Sequence, residues 1–154
     1  MLHKSVLLQH VIMEDDSDHA LNYLVSQFET VLSEPEDVII KQGGDSEEMY
    51  FVAQGSARVM WRDLSEQTFK KLKVLKEGAH FGEIGLIYNC KRTMSVETFK
   101  YSLFARLSRQ NFNTLNFNYE NIFKIGIRGY KDKYKKNIET VLERLPLFRG
   151  LSQD

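Results

Sequence analysis

The chain is expected to fold as an α+β domain, an antiparallel β-roll or barrel with one helix before it and two after it. Three observations carry that expectation. Between Asp37 and Leu107, short runs rich in β-branched and aromatic residues are separated by Gly43-Gly44, Gly55, Gly78 and polar turns, the texture of antiparallel all-β architectures. Ahead of that stretch, Leu21, Leu24, Val25, Phe28, Val31 and Leu32 recur at the spacing of one helix face. Beyond Ser108 the spacing lengthens again through Phe112, Leu115, Phe117, Ile122, Phe123, Ile125 and Ile127.

Taken in chain order, the opening from Met1 to Val11 mixes Lys4, His3 and His10 among a few aliphatics. It is too short and interrupted for a secretion signal or a membrane span. Ser17 or Asp18 caps the first helix, which should end near Pro35, so that residues 1–36 form an N-terminal helical segment. Residues 37–108 form the β-roll, and within it Leu103, Ala105 and Leu107 alternate with Ser102, Phe104 and Arg106, a two-residue period. Residues 109–137 read as two helices with a break near Asn118. The last stretch, residues 138–154, reads as an amphipathic helix ended by Pro146.

Bulk properties narrow the function classes. With 154 residues, 21 basic against 21 acidic side chains and 42% hydrophobic content, the chain matches one soluble globular domain. Balanced charge gives no whole-chain footprint for nucleic acid. Arg128, Lys131, Lys133, Lys135 and Lys136 interleave with Tyr130 and Tyr134, but Asp132 interrupts the run, and a solvated helix face is expected there rather than a nucleic-acid or membrane surface. Cys90 is the single cysteine, which fits a reducing, cytoplasmic location. His80 stands far from His3, His10 and His19, so no metal-ligand spacing exists and no metal is expected. A barrel enzyme of the cupin kind lacks its histidine cluster for the same reason.

The segment His80-Phe81-Gly82-Glu83-Ile84-Gly85-Leu86-Ile87-Tyr88-Asn89-Cys90-Lys91-Arg92-Thr93-Met94-Ser95-Val96 concentrates the chemistry. Gly82 and Gly85 let the backbone approach a ligand without Cβ obstruction, and a helical turn opening there aims free N–H groups at an anion. Arg92 carries a planar fork suited to two oxygens of one phosphate. Glu83, acceptor-only when ionised, suits ribose hydroxyls and repels an adjacent phosphate. A site with both wants a sugar and a phosphate together, which points to a sensor rather than a catalyst.

Phe-Gly-Glu-Ile-x-Leu-Ile followed by Lys-Arg-Thr-x-Ser-Val resembles the phosphate-binding cassette, here residues 81–96, of the cyclic nucleotide-binding domain family. The spacing from Glu83 to Arg92 is the family's. Similarity continues upstream through Asp37-Val38-Ile39-Ile40-Lys41-Gln42-Gly43 and Met49-Tyr50-Phe51-Val52-Ala53-Gln54-Gly55, and downstream through Leu107-Ser108-Arg109-Gln110-Asn111-Phe112. The resemblance implies a jelly-roll-like barrel with the C-terminal helices packed behind it. It also implies a regulatory, non-enzymatic domain that takes cAMP or cGMP as ligand and needs no other cofactor.

Residue by residue, it implies a ligand site formed by Phe81, Gly82, Glu83, Ile84, Gly85, Arg92, Thr93 and Met94. Glu83 would meet the ribose 2′-hydroxyl, Arg92 the cyclic phosphate, and backbone at Gly82, Ile84 and Gly85 would complete the cage. Val59 and Leu75 match the family's purine wall, and ordinary core packing is compatible with that role. Thr93 stands where kinase A regulatory subunits carry alanine and where cyclic GMP-dependent kinases and gated channels carry threonine. Lys91 and Met94 depart from the family's usual proline or arginine and small residue, which bears on affinity. Ile127, Tyr130 and Tyr134 are the expected lid, unless a following domain supplies it. Residues 138–154 resemble the helix and turn that lead into a second such domain in tandem regulatory proteins, which would make this chain part of a longer one. The implied partner is a protein kinase catalytic domain or that second domain; an ion channel, or an interaction scaffold that has lost its ligand, are the alternatives.

Overall fold

In a computed structural model of the chain, residues 22–23, 25–63 and 68–118 are described. They form β1 (Glu29–Ser33), β2 (Val38–Ile40), β3 (Glu48–Gln54), β4 (Ser56–Asp63), β5 (Thr68–Lys76), β6 (His80–Phe81), β7 (Ser95–Thr98) and β8 (Ser102–Ser108). Two helices accompany them, α1 (Glu83–Tyr88) between β6 and β7, and α2 (Arg109–Asn118) after β8. The strands make two four-stranded sheets, ordered β1-β8-β3-β6 and β2-β7-β4-β5, with every pairing antiparallel. The α+β roll expected from the sequence is therefore present, as two facing sheets that share no strand rather than a closed barrel.

Between the sheets lies one apolar cluster that includes Tyr50, Val52, Ala57, Phe81, Val96 and Phe104. Tyr50 stacks on Phe81 at 5.2 Å, and Phe104 meets both rings edge-on at 6.4 and 5.6 Å, the geometry aromatic quadrupoles favour. The first sheet is covered on its other face too. Met49, Phe51 and Leu107 are buried there, one residue out of phase with Tyr50, Val52 and Phe104, and Phe28 meets Phe51 edge-on at 5.4 Å. This two-sided burial explains β8, where the buried residues are Ser102, Phe104 and Leu107 instead of a single alternating set.

The first expected helix is shorter than its apolar spacing suggests. Helical residues end at Ser26, Phe28 N–H donates to the Val25 carbonyl at 3.2 Å, and Val31 and Leu32 lie in β1, paired with Phe104 and Leu103 of β8. A short apolar run does not separate helix from strand by periodicity alone, and the pairing with β8 decided the outcome. β1 thus sits within the 1–36 segment read as helical and belongs to the roll. α2 runs to Asn118; the second helix of that pair, Ile127, Tyr130, Tyr134 and residues 138–154 lie outside the described residues. Among the described residues, no helix is long and apolar enough to cross a membrane.

Candidate functional site

A cavity of about 370 Å³ opens against α1 and the strands β4 and β5. Phe81, Gly82, Glu83, Ile84 and Gly85 line it from the end of β6 and the start of α1. Arg92, Thr93 and Met94 line it from the loop before β7, and Val59 and Leu75 from the sheet. All ten residues expected to bind therefore face one space. The sequence reading did not include Ile40, Leu72, Lys73, His80 and Val96, which also line it; nothing in their spacing set them apart from neighbouring strand residues.

α1 is preceded by Gly82, whose φ of 85° is left-handed and which makes no side-chain cap, and is followed by Asn89 with φ 49°. The protein's own packing also requires the two glycines. A Cβ on Gly82 would sit 2.8 Å from Arg92 Nη1 and 2.9 Å from Ile40 Cδ1, and one on Gly85 would sit 1.9 Å from Ser46 Oγ. Both thus admit neighbouring side chains of the protein itself, at distances real Cβ atoms do not tolerate. Ser46 Oγ is buried without a hydrogen-bond partner, pressed against the backbone of Gly85.

Arg92 is held from the turn after β2. Its N–H donates to the Gly44 carbonyl at 2.9 Å and its carbonyl accepts from Gly43 N–H at 2.8 Å. The guanidinium, 4% exposed, donates from Nε to the Asp45 carbonyl at 3.1 Å, from Nη1 to the Gly82 carbonyl at 3.0 Å and from Nη2 to Glu48 Oε1 at 3.1 Å. A guanidinium has five N–H groups, so one remains on each terminal nitrogen. Glu48, which no motif singled out, supplies the counter-charge that lets a buried arginine persist. It also faces Tyr50, whose hydroxyl is pushed up to about 12 by burial and then by the Glu48 carboxylate.

Glu83 opens α1 and is buried. Beside it, His80 is pushed below its ordinary value by burial, with the Glu83 carboxylate opposing and the Lys73 ammonium reinforcing the shift. At the rim, Thr93 is exposed. Lys91 pairs with Asp45 in an exposed contact, and that pairing holds the Asp45 carboxyl below its ordinary range. At the far side of α1, Arg109 Nη2 donates to the Gly85 carbonyl at 3.2 Å and Nε to the Ser46 carbonyl at 3.1 Å, so the first residue of α2 grips the helix that lines the cavity. Among the described residues, no group of three or more His, Cys, Asp or Glu is arranged to hold a metal.

A buried cation and a buried carboxylate line one cavity, and a family model settles the relationship: the Cyclic nucleotide-binding domain model matches residues 31–119. The chain belongs to the cyclic nucleotide-binding domain family. Over 90 residues it is 33% identical to potassium/sodium hyperpolarization-activated cyclic nucleotide-gated channel 1 of Oryctolagus cuniculus, a match covering 58% of this chain and 10% of the channel. Over 115 residues it is 26% identical to the cAMP-dependent protein kinase regulatory subunit of Candida albicans, covering 75% of this chain and 24% of that subunit. The catabolite activator protein of Thermus thermophilus shares the fold with a TM-score of 0.76 at 19% identity, across 90% of this chain and 62% of that one. Within this cyclic nucleotide-binding domain, the unusual Met94 packs against the inter-sheet core while lining the cavity, and Lys91 is directed to Asp45.

Proposed function

We propose that this cyclic nucleotide-binding domain is a sensor for cAMP or cGMP, regulatory rather than catalytic. The observation that carries the reading is the burial of Arg92 and Glu83 on one cavity whose remaining walls are mainly apolar. The two unengaged N–H groups of Arg92 take two oxygens of the cyclic phosphate. Glu83 accepts from the ribose 2′-hydroxyl, the purine lies against Val59 and Leu75, and Thr93 and Met94 border the phosphate. Ile127, Tyr130 and Tyr134 retain the proposed role of lid.

Occupancy is transmitted through α1. A ligand held by Gly82, Ile84 and Gly85 favours the arrangement of α1 that binds it better, and Arg109 passes the change to α2. Such switches carry about 1–3 kcal/mol of coupling. The effector is a protein kinase, supported by the match to a cAMP-dependent kinase regulatory subunit over three quarters of the chain. A channel is the second reading, favoured by the higher identity to the gated channel.

Equilibrium dialysis with cAMP, cGMP and their 2′-deoxy forms tests the assignment. Saturable binding of the ribose forms is expected. Loss of a hydrogen bond to a charged group costs about 1.5–3 kcal/mol, so the 2′-deoxy forms should bind at least about ten-fold more weakly, and Glu83→Ala should erase that difference. Equal affinity for the two sugars would remove Glu83 from the ribose, and no binding of any of the four would overturn the sensor reading.

A further inference from the structure

His80 is the titratable side chain of the cavity wall to which the binding scheme gives no part. It opens β6 and pairs across the ladder with Phe51 of β3, whose ring it meets at 5.8 Å and an interplanar angle of 44°. It is half-buried, and it lines the same cavity as Glu83, the third residue after it, and Lys73. Each element packed against it brings a different neighbour. β3 brings Phe51, a ring without charge; α1 brings the Glu83 carboxylate; β5 brings the Lys73 ammonium. Burial favours the neutral imidazole, the Glu83 carboxylate favours the imidazolium, and Lys73 opposes it. Among the described residues, the ionisable groups that line the cavity are Lys73, His80, Glu83 and Arg92, and Arg92 already has a counter-charge in Glu48. Histidine is the side chain whose ordinary titration falls nearest neutrality, so His80 can make the charge balance around Glu83 depend on pH.

We infer that His80 is a positioning residue for Glu83: as imidazolium it draws the carboxylate away from the ribose 2′-hydroxyl, so that recognition of the sugar weakens in acid. This role rests on the proposed contact of Glu83 with that hydroxyl. Beside a neutral imidazole the carboxylate accepts with its full charge, and hydrogen bonds to an ionised acceptor are about twice as strong as neutral ones. An imidazolium there is a competing donor through either ring N–H, and it cancels part of that charge. By linkage the effect is reciprocal. A ribose held at Glu83 weakens the hold of His80 on its proton, and a 2′-deoxyribose does not. The anionic phosphate favours the imidazolium with either sugar, so it shifts both affinities alike and leaves their ratio to report on Glu83.

The test measures the affinities of the chain for cAMP, cGMP and their 2′-deoxy forms at steps from about pH 8 to about pH 5.5, with a melting curve at each pH to show that the protein is folded. The ratio of ribose to deoxyribose affinity should fall at least about three-fold over that range in the wild type. In His80→Gln, which keeps a neutral donor, it should stay level. A level ratio in the wild type, or an equal fall in His80→Gln, would overturn the inference while the sensor reading stands; the equal fall would assign the titration to another group. Binding with no preference for ribose at any pH would remove Glu83 from the sugar and His80 from its role together. No binding of any of the four nucleotides would overturn the sensor reading and this inference with it. Should His80→Gln fail to fold, proton NMR of the wild type decides. The imidazole signal identified by its contact with the Phe51 ring should titrate at lower pH with the ribose nucleotide bound than with its 2′-deoxy form, and equal titrations would contradict the inference.

Discussion

Ser46 fills the space that a side chain at Gly85 would need, which makes a clean prediction. Gly85→Ala places a methyl 1.9 Å from Ser46 Oγ and 2.3 Å from Ser46 Cβ, an overlap no rotamer of so short a side chain relieves. Overpacking of this kind costs about 1–3 kcal/mol, read as a lower urea midpoint. Ser46→Gly removes both clashing atoms, so the double variant should recover most of that loss; a double variant no more stable than Gly85→Ala would place the strain elsewhere. Residues of this scale were unevenly legible. Glu83 and Arg92 stand close together in the chain and announced themselves as a motif, and the ten residues expected around it line one cavity. Glu48 lies 44 positions from Arg92, and Ser46 reaches Gly85 only through the fold. Neither belongs to a local pattern, so a reading of spacing had no means to find them.

At the scale of elements, β6 carries a titratable group with a definite sign. Burial holds the His80 imidazole below its ordinary value of 6.5, so the folded state favours the neutral ring. Its contribution is complete above the unfolded value and is lost as pH falls through the folded one, because the unfolded chain then binds the extra proton. Urea midpoints of the wild type should fall between about pH 7.5 and pH 5.5 more steeply than those of His80→Gln. Parallel slopes would show that His80 titrates alike in both states. Elements differed in how readily the sequence revealed them. The glycine-punctuated strands from Val38 to Ser108 were plain because alternation and turn residues agree. β1 was hidden, since Val31 and Leu32 continue an apolar spacing that begins in a real helical turn, and only the pairing with β8 distinguishes the two. β8 itself lost its simple alternation because both faces of its sheet are buried.

At the scale of the molecule, the arrangement joins the cavity to α1 and, through Arg109, to α2. Arg92 is fixed from the turn after β2, α1 lies over the cavity, and Arg109 ties α1 to the root of α2. The family's fold and cassette were readable from the sequence because the cassette is contiguous. What the domain controls was not, since an effector is recognised by surfaces that no single motif encodes. The most direct test is a calorimetric titration of the chain with cAMP and with cGMP, repeated on Arg92→Ala after checking by its melting curve that the variant is folded. Saturable heat with at least one cyclic nucleotide is expected for the wild type. Loss of the buried cation should cost about 3 kcal/mol or more, roughly a hundred-fold in affinity. A folded wild type that binds neither nucleotide, or an Arg92→Ala variant that binds as tightly as the wild type, would contradict the account.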